Sequence, residues 1–375
     1  ALGLESAGLE HAGLVELDPD ACRTMRAAGL APVIESDVRD LDAVEAVAGN
    51  RLDVLWSSFP CQAWSTAGSR KGAQDDRNGW PWTVAALDRF QPTWFLGENV
   101  RGLQQHNKHC TARGGQRQLF DQRPELSCAG CYLERVILPD LRARFAHAGT
   151  WLLDAADYGV PQHRRRVILW AGPHKLERPK ETHGPRAGRP WVSMASALGL
   201  TPSQRVIGGG NNPRKGEVRR FRDLTAEPST TVAAVQIGNA GPWVCPAPTV
   251  TTTEVKGTRA SAASGFTFNG GPDRASDMLA VLTGYARPSP TITVADAQGL
   301  GSKAARDEVE RRIGRRRLTV AECATLQDFP GGYPFQGTQT ARYRQVGNAV
   351  PPTLARVVAQ SLLAAHHDNN RRGQP

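Results

Sequence analysis

Two groups of cysteines stand where they could do chemistry. Cys61 lies in "SSFPCQAWSTAG" (57–68), between a proline and a glutamine, just after the apolar run "LDVLW". A loop there could present the thiol outward, and a thiolate is a strong nucleophile. The second group is "HNKHC" followed by "CAGC", which brings His106, His109, Cys110, Cys128 and Cys131 into one polar insertion. Cys-x-x-Cys is half of a zinc knuckle, and an upstream His/Cys pair can supply the other half. The expected ligand set is Cys110, Cys128 and Cys131 with either His106 or His109; the alternative is an irregular loop with chance cysteines. Cys22, Cys245 and Cys323 are assigned to packing. Seven scattered cysteines argue against a disulfide framework.

The elements that must hold Cys61 alternate. "GLVEL", "APVIE", "LDVLW" and "TWFLGE" read as strands; "DPDACRTMRAAG", "DLDAVEAVAG" and "PWTVAALDRF" read as helices between them. Asp18 is the expected N-cap of the first of these, with Pro19 at its first position and Gly29 past its end. A helix "LPDLRARFAHAG" and strands "WLLDA" and "RVILWA" follow. The expected fold class is α/β, a Rossmann-like parallel sheet covered on both faces, whose ligand sites lie beyond the carboxyl ends of the strands. Glu16, Asp37, Cys61 and Glu98 all fall at or just after such ends, which suggests one shared crevice.

From residue 172 the texture changes to Gly, Pro, Thr and Arg, with a weak repeat ("EPSTTVAA", "CPAPTVTT", "RPSPTITVA") of turns leading into short strands. The expected domains are a catalytic domain over 1–171 with a possible zinc insertion at 104–132, an inserted and mostly β/loop domain over 172–315, helices over 316–366 that return to the first domain, and a disordered tail over 367–375. The formal charge is +10 over 375 residues, which favours a polyanionic partner such as nucleic acid. No signal peptide or long apolar run is evident, so a cytoplasmic location with no membrane partner is expected.

Five elements in order resemble the C5-cytosine DNA methyltransferases of prokaryotes and phages: "FPCQAWSTAG", "GENV", "DYGVPQHRRRVIL", "RRLTVAECATLQDFP" and "RYRQVGNAVPP". The resemblance makes 172–315 a target-recognition domain. It implies S-adenosylmethionine as methyl donor and double-stranded DNA as partner. Cys61 would attack cytosine C6, Glu98 would hydrogen-bond N3, and Arg166, with Arg164, would hold the O2 side. Glu16 would take the ribose hydroxyls, Leu17 would stack beside the adenine, Asp37 and Val38 would contact its amino group and ring face, and Pro60, Asn348 and Val350 would complete the cofactor pocket. Gln62, Ser65 and Thr66 would meet the DNA. The target base must be flipped out of the duplex, and the "RRR" runs at 164–166 and 315–317 suit phosphate contact.

The family's opening strand and glycine-rich loop do not occur in residues 1–375, so the catalytic domain is read as N-terminally truncated. If these residues were the whole molecule, weak or absent methyl transfer is expected, and a DNA-binding pseudoenzyme with impaired cofactor binding is the alternative. A cysteine hydrolase is disfavoured because no histidine sits at a strand end. An RNA substrate is disfavoured by the length of 172–315. The expectation is a monomer. A cognate restriction endonuclease, phage self-protection and an orphan role stay open, as does the target sequence.

Overall fold

The computed structural model describes residues 1–60, 73, 75, 78–106, 110, 128–199, 204–207, 229–230, 243–246 and 316–372, with backbone alone for 204–207, 229–230, 243–246, 316–317 and 368–372. Cys61, Gln62, Ser65, Thr66 and His109, and most of 172–315, lie outside these residues.

Strands β1 (Leu14–Glu16) and β2 (Val33–Glu35) pair in parallel, with Glu16 opposite Glu35. Helix Pro19–Ala27 joins them. Asp18 caps it by accepting from the Asp20 N–H, Pro19 opens it, and Gly29 leaves it at φ +76°, as the residue types predict. Strands β3 (Val54–Ser57) and β4 (Trp94–Val100) are also parallel, and helix Trp80–Phe90 connects them.

The remaining strands depart from an all-parallel sheet. β5 (His147–Asp154) and β7 (Arg165–Gly172) are antiparallel neighbours, and β7 also runs antiparallel to β4, which gives the order β3-β4-β7-β5. Only residues 155–164 join β5 to β7; they hold a 3₁₀ turn, Ala155–Tyr158, and the short β6 (Gln162–His163). That stretch has no helix to carry a parallel crossover. The expected helix "LPDLRARFAHAG" ends at Arg144, and His147–Gly149 open β5 instead. Gly149 is required there, because a Cβ would lie 2.6 Å from the Trp170 ring.

The sheet has two apolar faces. Phe95, Val167, Leu169 and Ala171 pack on helix Trp80–Phe90 and on the helix over 129–144. Trp94, Leu96, Ile168 and Trp170 pack on Leu354, Val358 and Leu362 of helix Pro352–Arg372. That helix runs through 367–372, where a disordered tail is expected from the sequence; extending a formed helix costs little. In the region of the proposed recognition domain, β8 (Gln204–Ile207), β10 (Trp243–Pro246) and β11 (Arg316–Arg317) form a small antiparallel sheet, and β9 (Ser229–Thr230) pairs with β6. Cys22 and Cys323 are buried, as packing roles require.

Candidate active site and cysteine cluster

At the carboxyl end of β4, Glu98 faces the same side of the sheet as Trp94 and Leu96. The β4–β7 register sets Glu98 opposite Ile168 and Val100 opposite Arg166. Side chains alternate along a strand, so Glu98 and Arg166 are diagonal neighbours on one face. Both are buried, and Arg166 Nε lies 2.7 Å from Glu98 Oε1. The contact is an ion pair without hydrogen-bond alignment, since the Arg166 Nε–H finds no acceptor. One Arg166 amino group donates to the carbonyl of Arg165 at 2.9 Å.

Next to this pair, the Asn99 amide donates to the Phe59 carbonyl at 3.2 Å, two residues before Cys61. It thereby ties the end of β4 to the entry of the cysteine loop. Asn99 lies within "GENV", and no spacing rule in the sequence points to this partner. At the exit of the loop, Gly79 approaches the entry so closely that a Cβ would lie 2.5 Å from Pro60 Cδ.

Arg164 behaves differently from Arg166. It is 1% exposed and donates to the carbonyls of Gly347 and Ala349 at 2.8 and 2.9 Å. Burial first, and then the charge of Arg166, lower its pKa while Glu98 opposes them; a guanidinium stays charged at neutral pH regardless. Arg164 therefore joins the sheet to the last turn of helix Gln339–Asn348 and the residue after it instead of presenting its charge to a ligand. Gln162 extends the same seam, donating to the Leu326 carbonyl at 3.0 Å and to Gln327 Oε1 at 2.6 Å, while Gln327 donates to the Ala349 carbonyl at 2.6 Å. Three of the family-like elements thus meet through buried amides and one cation. Nothing in their sequence spacing shows these partners.

The ends of β1 and β2 form a second cluster. Glu16 Oε1 accepts the backbone N–H groups of Leu17 and Asp18 at 2.8 and 2.9 Å, and the Cys22 thiol donates to the Glu16 carbonyl at 3.3 Å. Leu17 is 64% exposed and Val38 41%, two large apolar side chains left open on adjacent strand ends. Asp37 does not present a free carboxylate: Arg39 donates to it from Nε at 2.9 Å and from an amino group at 2.6 Å, and its backbone N–H adds a third bond. These bonds hold the Asp37 pKa down to about 2. Asn348 ends helix Gln339–Asn348 on the exposed side, Val350 packs, as Trp56 does, against the clusters that hold Leu354 and Ala355, and Pro60 is exposed.

A family profile described as C-5 cytosine-specific DNA methylase matches residues 1–122 and 147–364. The chain belongs to this family. The methylase is 28% identical over 379 residues to the type II methyltransferase M.NgoMIV of Neisseria gonorrhoeae, covering 99% of this chain and 95% of that one. It is 29% identical over 380 residues to M.Eco47II of Escherichia coli, covering 99% and 78%. Among solved structures, a DNMT2 from Spodoptera frugiperda superposes with a TM-score of 0.54 at 15% identity, over 96% of this chain and 95% of that one; that likeness concerns the fold. The methylase is an S-adenosylmethionine-dependent DNA cytosine C5-methyltransferase, and the matches support this over the pseudoenzyme alternative. The residues at the ends of β1 and β2 fit the cofactor: a carboxylate already oriented by two N–H groups suits a ribose diol, and two exposed apolar side chains suit a purine face.

The methylase's cysteine cluster draws His106 and Cys110 from the first matched segment and Cys128 and Cys131 from the residues between the two. His106 Nδ1 is 3.5, 3.7 and 3.6 Å from the sulfurs of Cys110, Cys128 and Cys131, and the four ligand atoms all lie within 4.8 Å of one another. Of the two histidines left open by the sequence, His106 is the one brought to the thiols; His109 lies outside the described residues. Among the described residues, no helix is long and apolar enough to cross a membrane.

Proposed function

We propose that Cys61 is the nucleophile of the methylase and that Glu98 and Arg166 manage the charge that its attack creates. The Cys61 thiolate forms a bond to C6 of a flipped cytosine. The electron pair released into the ring is drawn toward N3, which takes a proton relayed from solvent through the Glu98 carboxylate, and this makes C5 nucleophilic. Arg166 steadies Glu98 and the O2 side of the base. S-adenosylmethionine supplies the electrophilic methyl group when bound. A base, solvent included, then takes the C5 proton, the C6–S bond breaks, and the thiolate leaves. The observation that carries this reading is the buried Glu98–Arg166 ion pair beside the Asn99-tethered entry of the Cys61 loop.

Glu16, Leu17 and Val38 hold the cofactor's adenosine, with Pro60, Asn348 and Val350 lining the rest of its site. Asp37 contributes through its backbone, because Arg39 occupies its carboxylate. Arg164 is a positioning residue. Gln62, Ser65 and Thr66 contact the DNA as the loop closes, and 172–315 reads the target, with the +10 charge favouring phosphate contact. A zinc ion held by His106, Cys110, Cys128 and Cys131 is structural. The naming of the relatives as type II methyltransferases supports a role paired with a restriction endonuclease; a monomer in the cytoplasm completes the reading.

The test is a duplex in which 5-fluorocytosine replaces cytosine. Without a removable C5 proton the S–C6 bond persists, so incubation with S-adenosylmethionine is expected to give a protein–DNA adduct that survives denaturation. Cys61→Ser should give none. An adduct undiminished in that variant sinks the assignment.

A further inference from the structure

We propose that the zinc ion of the cysteine cluster also sets the root of the nucleophile loop, through a hydrogen bond between Tyr132 and Asn78. The proposal rests on the reading of Cys61 and of the zinc site given above.

The cluster is built for a metal. Cys110, Cys128 and Cys131 are buried, and none of the described cysteines is disulfide-bonded. A tetrahedral zinc with Zn–S of about 2.3 Å and Zn–N of about 2.05 Å sets sulfur and nitrogen about 3.6 Å apart. The three separations from His106 Nδ1 lie within 0.1 Å of that. Cys110 and Cys131 are closer, at 3.2 Å, and would part by about half an ångström on binding. Glu134 Oε1 stands 3.2 Å from His106 Nε2, which fixes the tautomer that leaves Nδ1 free to ligate. Gly130, inside the Cys-x-x-Cys, is needed because a Cβ would come 2.7 Å from the His106 ring. Four protein ligands leave no open position, which marks a structural and not a catalytic ion.

Residues 123–146, with Cys128 and Cys131, lie outside the family match. That segment nevertheless reaches the active site. Tyr132 follows Cys131 directly, and its hydroxyl accepts from Asn78 Nδ2 at 2.9 Å. The same Asn78 amide donates to the Ala73 carbonyl at 3.2 Å. Two residues on, Trp80 Nε1 donates to Asp140 Oδ2 at 2.8 Å. Phe59, at the loop's entry, packs in the same apolar cluster as Tyr132, Leu133 and Ile137. Both roots of the loop that carries Cys61 therefore rest on the helix that starts at the zinc ligands. A five-residue π-helical stretch, Leu133–Ile137, lies between the ligand turn and Leu138–Arg144. Such bulges gather at functional positions.

Elemental analysis of the purified methylase, reconstituted with zinc chloride, is expected to find about one zinc per chain. Cobalt(II) put in its place should give the strong visible bands of a tetrahedral thiolate site, and both signals should vanish in Cys128→Ser/Cys131→Ser. Zinc well below one per chain overturns the site. Tyr132→Phe is expected to keep its zinc and to bind DNA and S-adenosylmethionine within about twofold of wild type. It should form the 5-fluorocytosine adduct about tenfold more slowly, an effect shared by Asn78→Ala and not multiplied in the double variant. Equal adduct rates in wild type and Tyr132→Phe overturn the coupling alone. Failure of the wild type to form any adduct overturns the nucleophile reading beneath it.

Discussion

Glu98 and Arg166 sit diagonally across the β4–β7 ladder, 2.7 Å apart and almost shielded from water. A carboxylate and a guanidinium withdrawn together from solvent are strongly interdependent. Removal of one leaves the other buried without its countercharge, at a cost of about 3–5 kcal/mol. Arg166→Ala is accordingly expected to lower unfolding stability by that amount and to slow methyl transfer. Glu98→Gln keeps the shape but cannot pass a proton, and its turnover should fall by about 10²–10⁴. Denaturant titration and single-turnover rates check both; Glu98→Gln retaining wild-type turnover would contradict the acid role.

Arg164 acts on stability. Its guanidinium donates to the Gly347 and Ala349 carbonyls inside the fold, and a hydrogen bond involving a charged group contributes about 1.5–3 kcal/mol. Arg164→Ala should lose about 3–5 kcal/mol in chemical denaturation. Arg164→Lys should restore little of it, because the shorter stem does not carry its nitrogen to the position from which one Arg164 amino group reaches both carbonyls. Full stability in either variant would mean that the two carbonyls are satisfied some other way.

Leu17 and Val38 separate binding from folding. Side chains this exposed contribute little to stability, so Leu17→Asp should leave the unfolding free energy within about 0.5 kcal/mol. Covering Leu17 with a purine would gain about 1.5–3 kcal/mol, so cofactor affinity should fall about tenfold or more. Calorimetric titration with S-adenosylmethionine measures it. An unchanged dissociation constant would remove Leu17 from the site.

Asp154 gives the fold an acid limit. Burial alone would raise its carboxyl, but bonds from His163 Nδ1 at 3.1 Å, from the Ala156 N–H and from Arg165, with the histidine's charge, hold it below the ordinary value. A folded pKa below the unfolded value, about 3.9, means stability that is present above that pH and lost as pH falls through the folded value. Asp154→Asn should be less stable at neutral pH, and its stability should change less with pH below about 4. Identical slopes for the two proteins would show that other carboxylates set the limit.

Much of the molecule is legible one residue at a time. The Asp18–Pro19 helix start, the Gly29 stop and the Thr319–Glu322 capping box are local events, decided within a turn of chain. Alternating apolar runs place Glu16 and Glu98 at strand ends, and the order of motifs carries the family. The Cys-x-x-Cys likewise announces itself by spacing.

The sequence by itself thus determined the strand–helix alternation, the family and the residue types of the site. Only the tertiary structure decided which partners those residues take, because hydrogen bonds and ion pairs fall off within ångströms while the partners are far apart in the chain. The ten-residue link after β5 turns β7 antiparallel, and that reversal puts Arg166 against Glu98. Arg164, two residues earlier, is turned inward to carbonyls more than 180 residues away. Asp37 meets Arg39 before any ligand can reach it. His106 meets three thiols because Gly130 leaves room for its ring, a closeness that no spacing rule encodes.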